Sequence, residues 1–171
     1  MIEREKRYNL KNNDLSLIPP SQITSKIKIE QIYTNTNIKN SPSTRIRKSS
    51  DEEMTNYSHC SKYRIEENVV EEVEIQITEN QYDRIYKLVN KIPVKKERWN
   101  VQIGENYSYL VAEIDIYLNE NKIVIEVEFL SDESMDSFIP PSWFGEEIRE
   151  KKSYSYEKFC EINSNVLWRG L

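Results

Sequence analysis

Apolar and polar positions alternate along most of this chain. In a strand, successive side chains point to opposite faces, so residues two apart share one. Period two predicts strands over Ile2 to Leu10, Lys26 to Thr34, Thr44 to Lys48, Ser58 to Ile65, Val69 to Ile77, Val94 to Ile103, Tyr107 to Leu118 and Lys122 to Leu130. Pro19 and Pro20 forbid a helix after the first strand, so Lys11 to Gln22 reads as a loop. Asn35 to Ser43 reads as a second loop, and Ser49 to Asn56 as an exposed polar connection. The period becomes helical at Thr78 to Ile92, where Tyr82, Ile85, Tyr86, Leu88 and Val89 share a face and Thr78 caps the start. Asn119 to Asn121 predicts a tight turn that makes the last two strands a hairpin. Ser131, Glu133 and Ser134 start a short helix that stops before Pro140, and Tyr154 to Ile162 predicts a last helix. No internal repeat is visible. The expectation is one domain over residues 1–171, mainly β (α+β), with about eight antiparallel strands in a barrel or sandwich and a few flanking helices.

The strands carry an unusual distribution of charge. One face of each holds, in chain order, Glu3, Glu5 and Arg7; Arg45 and Arg47; Lys62 and Arg64; Glu72, Glu74 and Gln76; Lys96 and Arg98; Glu113 and Asp115; Glu126 and Glu128. The alternate positions are apolar in the later strands: Val73, Ile75 and Ile77; Ile114 and Ile116; Ile125, Val127 and Phe129. A half-buried sheet with a solvated outer face explains any one strand. It does not explain seven strands that are each mostly of one sign, because like charges on neighbouring positions repel. Bound ions of opposite sign relieve that repulsion. Carboxylates without His or Cys suit a hard, oxygen-seeking cation, hence Mg2+ or Mn2+. Arg and Lys suit phosphate oxygens, and Arg offers a two-pronged fork. Both sets on one concave face describe a site for a metal and a polyphosphate.

Composition narrows the choice. There are only three glycines and no Gly-rich phosphate cradle, so side chains must hold any phosphate. A net charge of -5 argues against a nucleic-acid surface. No apolar run reaches membrane-spanning length and the first residues have no signal-peptide pattern. Cys60 and Cys160 form neither a metal motif nor a disulfide framework, which fits a reduced, cytoplasmic setting. The one histidine, His59, is out of phase with Lys62 and Arg64, so it is expected to face outward. Cys60 is in phase with the bases and reads as a small filler, and Tyr33 can reach the charged face.

The motifs themselves are similar to a known family. Glu3-Arg4-Glu5-Lys6-Arg7 resembles the N-terminal Glu-x-Glu-x-Lys motif of the CYTH superfamily, the triphosphate tunnel metalloenzymes. Gln31 and Tyr33, Arg45-Ile46-Arg47, Glu72 to Ile77 and Lys96 to Trp99 resemble its next strands. Ala112 to Tyr154 is the most similar stretch, with Glu113-Ile114-Asp115, Glu126-Val127-Glu128 and Pro140-Pro141-Ser142-Trp143-Phe144-Gly145-Glu146-Glu147, and it looks most like the bacterial stand-alone inorganic triphosphatases.

That resemblance implies a closed eight-stranded antiparallel tunnel that hydrolyses inorganic triphosphate to pyrophosphate and phosphate. It implies that Glu3, Glu5 and Glu128 hold a first metal ion. Glu74, Asp115 and Glu126 would support a second metal or the attacking water, and so count as the catalytic acids. Arg7, Arg45, Arg47, Lys62, Arg64, Lys96 and Arg98 would clamp the phosphates. The chain departs from the pattern on the phosphate side. Arg7 replaces the motif's lysine, Lys62-Tyr63-Arg64 replaces Thr-x-Lys, and Arg149, Ser153 and Tyr156 stand at altered positions. Trp143 and Phe144 are expected to plug the barrel, and Arg149, Lys151 and Lys152 to form a solvated run. The implied partner is a triphosphate compound; pairing of two copies stays open. The alternatives are a nucleoside or thiamine triphosphatase, a nucleotide cyclase of the same fold, and a polyphosphate-binding module.

Overall fold

The computed structural model describes residues 1–35, 42–89, 91–103, 110–118, 120 and 122–149. Its strands are β1 (Ile2–Leu10), β2 (Ile23–Tyr33), β3 (Ser43–Ser50), β4 (Thr55–Glu66), β5 (Val69–Gln76), β6 (Val94–Gln102), β7 (Val111–Tyr117), β8 (Lys122–Phe129) and β9 (Phe144–Glu147). Helix α1 (Glu79–Val89) links β5 to β6, and the single turn α2 (Asp132–Asp136) follows β8. The strand order is β5-β4-β3-β2-β6-β7-β8-β1-β9, and an additional β5–β1 pairing closes the first eight strands into a barrel. Every pairing is antiparallel. The closing pair is short, with Ile2 opposite Glu71, Glu3 opposite Val70 and Arg4 opposite Val69. Further along β1, Tyr8 to Leu10 pair with β9 instead. Closure removes the exposed sheet edges that an open sheet of this size would carry.

The apolar core lies outside the barrel wall, not within it. Tyr8, Ile114, Ile125, Val127 and Phe129 project outward from β1, β7 and β8 and are covered by Ile18, Met135, Phe138, Trp143 and Phe144. Burying each large side chain of this layer stabilises the fold by roughly 1.5–3 kcal/mol. On the other flank, Tyr82 of α1 packs over Ile32 and Ile46 on the outside of β2 and β3. Thr78 caps α1 as expected, its hydroxyl accepting from the Gln81 amide at 3.2 Å. At α2 the Ser131 and Ser134 side chains each take the other's backbone amide, forming a capping box.

Several expectations change. The Gly145-Glu146-Glu147 stretch, for which alternation predicted no strand, belongs to strand β9, and a Cβ at Gly145 would sit 3.0 Å from the Asn9 carbonyl oxygen. Trp143 and Phe144 do not plug the barrel; they stack on its outer wall, Phe144 against Tyr8 at 5.0 Å between ring centroids. Ser49, Ser50, Thr55 and Asn56 extend the β3–β4 hairpin, which turns tightly at Asp51 and Met54. Val73 and Ile75 share a face as predicted, yet that face is exposed, because no element covers the outside of β5 among the described residues. The helix expected over 154–162, the start of the strand at 107–109, and Asn119 and Asn121 lie outside the described residues. No described helix is long and apolar enough to cross a membrane.

Candidate functional site

Strand register carries the predicted charged faces into one lumen. Glu5 lies opposite Glu128, and Arg7 opposite Glu126, across β1–β8. Glu126 faces Glu113 across β8–β7, and Asp115 faces Arg98 across β7–β6. Gln31 faces Arg47 and Tyr33 faces Arg45 across β2–β3. Arg45 faces Cys60, Arg47 faces Ser58, and Cys60 and Lys62 face Glu74 and Glu72 of β5. The period-two positions therefore converge because the sheet closes, although they lie far apart in sequence.

Ion pairs knit this lumen together. Lys62 Nζ lies 2.5 Å from Glu72, 2.9 Å from Glu3 and 3.7 Å from Glu5. Arg7 bridges Glu5 at 2.8 Å and Glu126 at 3.0 Å. Arg98 donates to both oxygens of Asp115, to Glu113 and, at 3.1 Å, to Glu126. Lys96 Nζ also bonds Asp115, which is wholly buried. Ser58 Oγ donates to Glu74 at 2.5 Å, and Cys60 Sγ to Glu72 at 3.0 Å.

Within this network the charges remain segregated. Burial, then Arg45 and Arg98, push the Arg47 guanidinium below its ordinary value, so three arginines crowd together. Burial, then Arg98, push Lys96 down to about 8 despite Asp115. On the acidic side, burial, then Glu113 and Glu3, push Glu128 up to about 7, with Glu5 adding to the effect and Lys62 opposing it. Asp115 and Glu126 behave oppositely: burial opposes their charge, but Lys96 and Arg98 hold Asp115 low, and Arg7 and Arg98 hold Glu126 well below the carboxylate range. A crowd of acids from β1, β7 and β8 thus faces a crowd of bases from β3 and β6.

Each crowd fits a ligand of the other sign. Arg45 Nε and Arg47 Nε are buried with no hydrogen-bond partner, and the ion pairs of these arginines are loose, Arg45 Nη2 lying 3.9 Å from Glu72 and Arg47 Nη1 3.9 Å from Glu74. Buried donors left unpaired are costly, and phosphoryl oxygens would pair them. For a cation, the donors Glu3, Glu5 and Glu128 are all carboxylates, the hard oxygen chemistry that Mg2+ and Mn2+ take. Among the described residues no three such groups already converge on one point. Lys62 and Arg7 hold Glu3 and Glu5 instead, so a cation fits by displacing ammonium and guanidinium contacts.

Most predicted residues meet in the lumen, with two shifts of emphasis. Arg64 is exposed and donates to the backbone carbonyls of Glu66 and Glu67 at the β4–β5 turn, away from Arg45 and Arg47. Asp115 and Glu126 have their oxygens taken by Lys96, Arg98 and Arg7, which suits positioning of bases better than ligation. Arg149 is exposed and lies 3.8 Å from Glu147. His59 faces outward, opposite Ile46 and Ile75. Residues that sequence reasoning left without a role are Glu113 on Arg98, Ser58 on Glu74, and buried Gln31, whose Nε2 donates to Tyr33 Oη at 3.2 Å. The lumen phase of each strand was the signal that could have found them.

Known proteins share this architecture. No family profile matches the chain. An inorganic triphosphatase of Nitrosomonas europaea is 34% identical over 86 residues, which are 49% of this chain and 55% of that protein. The chain thus spans about half the length of the curated relative it matches. The crystal structure of the inorganic triphosphatase NE1496 superimposes with a TM-score of 0.60 at 26% identity, covering 92% of this chain and 93% of that one. A Hippeastrum protein, HpAC1, described as a putative adenylyl cyclase with a dominant triphosphatase activity, superimposes at 0.53 with 16% identity over 79% of this chain and 82% of its own, which is a likeness of fold.

Proposed function

We propose that this chain, which has the fold of the triphosphate tunnel proteins, hydrolyses inorganic triphosphate to pyrophosphate and phosphate with a bound divalent cation, Mg2+ or Mn2+. The observation that carries the reading is the pair of buried, partnerless arginine nitrogens, on Arg45 and Arg47, facing an acidic cluster inside one closed lumen. The likeness to inorganic triphosphatases supports the same reading.

In this reading Arg45, Arg47, Lys96 and Arg98 bind the phosphoryl oxygens, and Lys62 and Arg7 exchange some of their carboxylate contacts for phosphate. Glu3, Glu5 and Glu128 would hold the cation. When bound, it neutralises phosphate charge and acidifies water. Glu74, partly exposed and gripped by Ser58, is placed to orient the attacking water or a second cation. Asp115 and Glu126 hold Lys96, Arg98 and Arg7 in line. Water adds to the terminal phosphorus opposite the bridging oxygen, the P–O bond to that oxygen breaks, and pyrophosphate leaves with the charge formed on it. One proton is released to solvent. The bases offset the negative charge gathering on the transferred group and leaving oxygen, in a setting drier than bulk water.

Inorganic triphosphate is expected to be a better substrate than ATP, because the open part of the lumen is lined by charge and its apolar residues are packed closed at one end, leaving no apolar slot for a base among the described residues. Pyrophosphate is expected to be poor, since it cannot span both the acids and the far bases. The measurement is kcat/KM for tripolyphosphate, ATP, thiamine triphosphate and pyrophosphate with each metal. ATP or thiamine triphosphate ahead by about tenfold, roughly 1.4 kcal/mol of transition-state binding, would replace the substrate named here. Tight binding of tripolyphosphate without release of phosphate would favour a polyphosphate-binding module.

Arg47→Ala is expected to weaken tripolyphosphate binding by about 1.5–3 kcal/mol, the scale of a hydrogen bond to a charged group. Arg47→Lys should restore only part, because the fork is lost. Calorimetry showing unchanged affinity in Arg47→Ala would remove this arginine from the clamp.

A further inference from the structure

One end of the lumen is apolar. Val94, Tyr117 and Val124 form a buried cluster of their own, with Tyr33 and Ile148 packed against it. Register places the four strand residues on the same face as the charges: Val94 opposite Gln31, Tyr117 opposite Lys96, Val124 opposite Asp115 and Tyr33 opposite Arg45. Ile148 reaches them because β9 runs antiparallel beside β1 and the Ile148 amide donates to the Arg7 carbonyl at 2.7 Å. Of the charged residues next to this layer, Lys96 and Asp115 are sealed from water, at 3% and 0% exposure, whereas Arg7 at its rim keeps 35% of its side chain exposed and turns to Glu5 and Glu126. Glu74 and Glu113, further along the lumen, keep 36% and 30% of their side chains exposed. Apart from Arg7 at the rim, the water-exposed charges of the lumen lie on the side of Glu74, Glu113 and Glu128.

We propose that this apolar layer is the floor of a blind tunnel, and that Ile148 is a length-determining residue that restricts the substrate to short linear phosphates. The inference rests on the triphosphatase reading and adds to it a direction of entry. A phosphate chain carries charge on every unit and cannot cross an apolar layer without losing its hydration. It must enter end-on through the acidic mouth, with its leading phosphoryl group stopping at Lys96 and Arg98. From Glu113 to Tyr117 β7 runs about 13 Å at ~3.3 Å per residue, which is about 10 Å of depth once the usual tilt of barrel strands is allowed for, the scale of a few linked phosphoryl groups. Extra units of a longer chain would emerge at the mouth beside Glu113, beyond the bases that hold the first units, where like charge repels them.

The test is a length series of linear polyphosphates, from tripolyphosphate to long chains, followed by both calorimetric affinity and kcat/KM in the metal-loaded protein. The wild type should prefer tripolyphosphate over long chains by about tenfold or more. Ile148→Ala, and more strongly Ile148→Gly, should narrow that preference by about fivefold or more, because the chain can then thread past the floor. A wild type that binds and cleaves long chains as well as tripolyphosphate overturns the proposal whether or not either variant folds. So does a preference unchanged in folded variants. If tripolyphosphate binds without being cleaved, the hydrolytic reading fails separately, and the length dependence of binding still decides this one.

Discussion

Replacing Arg98 by alanine is expected to cost about 3–5 kcal/mol of folding stability, the penalty for breaking a buried ion-pair network from one side. Arg98 contacts Asp115 through two nitrogens and also meets Glu113 and Glu126. Burial opposes its charge, but Asp115 and the two glutamates outweigh that and raise its pKa further above the ordinary value. Removing it leaves Asp115 wholly buried with Lys96 alone, and burial opposes the charge of that lysine too. Among the described residues, Glu126 then keeps Arg7, at 3.0 Å, as its close charged partner. Arg98→Lys should recover charge but not the fork, and so only part of the loss. Urea denaturation of the metal-free protein at neutral pH measures the effect. A loss below about 1 kcal/mol would mean that the network reorganises around the gap, and Arg98 would then not be its keystone.

Much of this fold could be read from the sequence because one periodicity governs eight strands. Leu10, Phe129 and the β7–β8 hairpin fell where alternation put them, whereas the strand count left barrel and sandwich both open and closure was what the family resemblance implied. β9 escaped because Phe144 to Glu147 is too short to show a period, and its pairing with β1 depends on a bare Gly145 approaching Asn9. The aromatics beside it were misplaced for the same reason. Apolar residues after two prolines signal burial, but not on which side of the wall. The exposed Val73 and Ile75 mark another limit, since alternation assigns a face and cannot say whether anything covers it.

The candidate site was legible by charge and phase, and less so by role. Which acid stands near an unpaired base depends on the stagger between strands, and no single strand encodes it. Asp115 and Glu113 are two residues apart on one face, yet Asp115 is held between Lys96 and Arg98 whereas Glu113 touches both Arg98 and the crowd around Glu128. Arg64 was in phase with Lys62 but lies past the closing pair, where Asn68 and Glu5 join, so its guanidinium turns back onto its own hairpin. Tyr117 and Ile148 gave no signal, because an apolar residue in a charged phase looks like an interruption until closure stacks several of them at one end.

Glu128→Gln is expected to lower kcat/KM for tripolyphosphate by about 100-fold or more, roughly 2.7 kcal/mol, while making the metal-free protein more stable at alkaline pH. Both effects come from the same crowding. Glu128 sits beside Glu113, Glu3 and Glu5, and burial with these neighbours pushes its carboxyl up to about 7 from an ordinary 4.5. A raised pKa means that the folded state binds the proton more tightly than the unfolded chain does. The stabilisation from the protonated form is therefore full below the ordinary value and is lost as pH rises through about 7. At about pH 8 the folded protein holds a charge that glutamine does not carry, so the variant should gain on the order of 1 kcal/mol, less than the full shift implies because Glu128 keeps part of its surface in water. Near pH 4 the two proteins should be equally stable. A divalent cation should reverse the order at alkaline pH, stabilising the wild type by mass action and the variant much less. Thermal unfolding across pH, with and without magnesium, reads all three comparisons. Retained turnover at low magnesium, or a stability difference that ignores pH, would take Glu128 out of the proposed cation site.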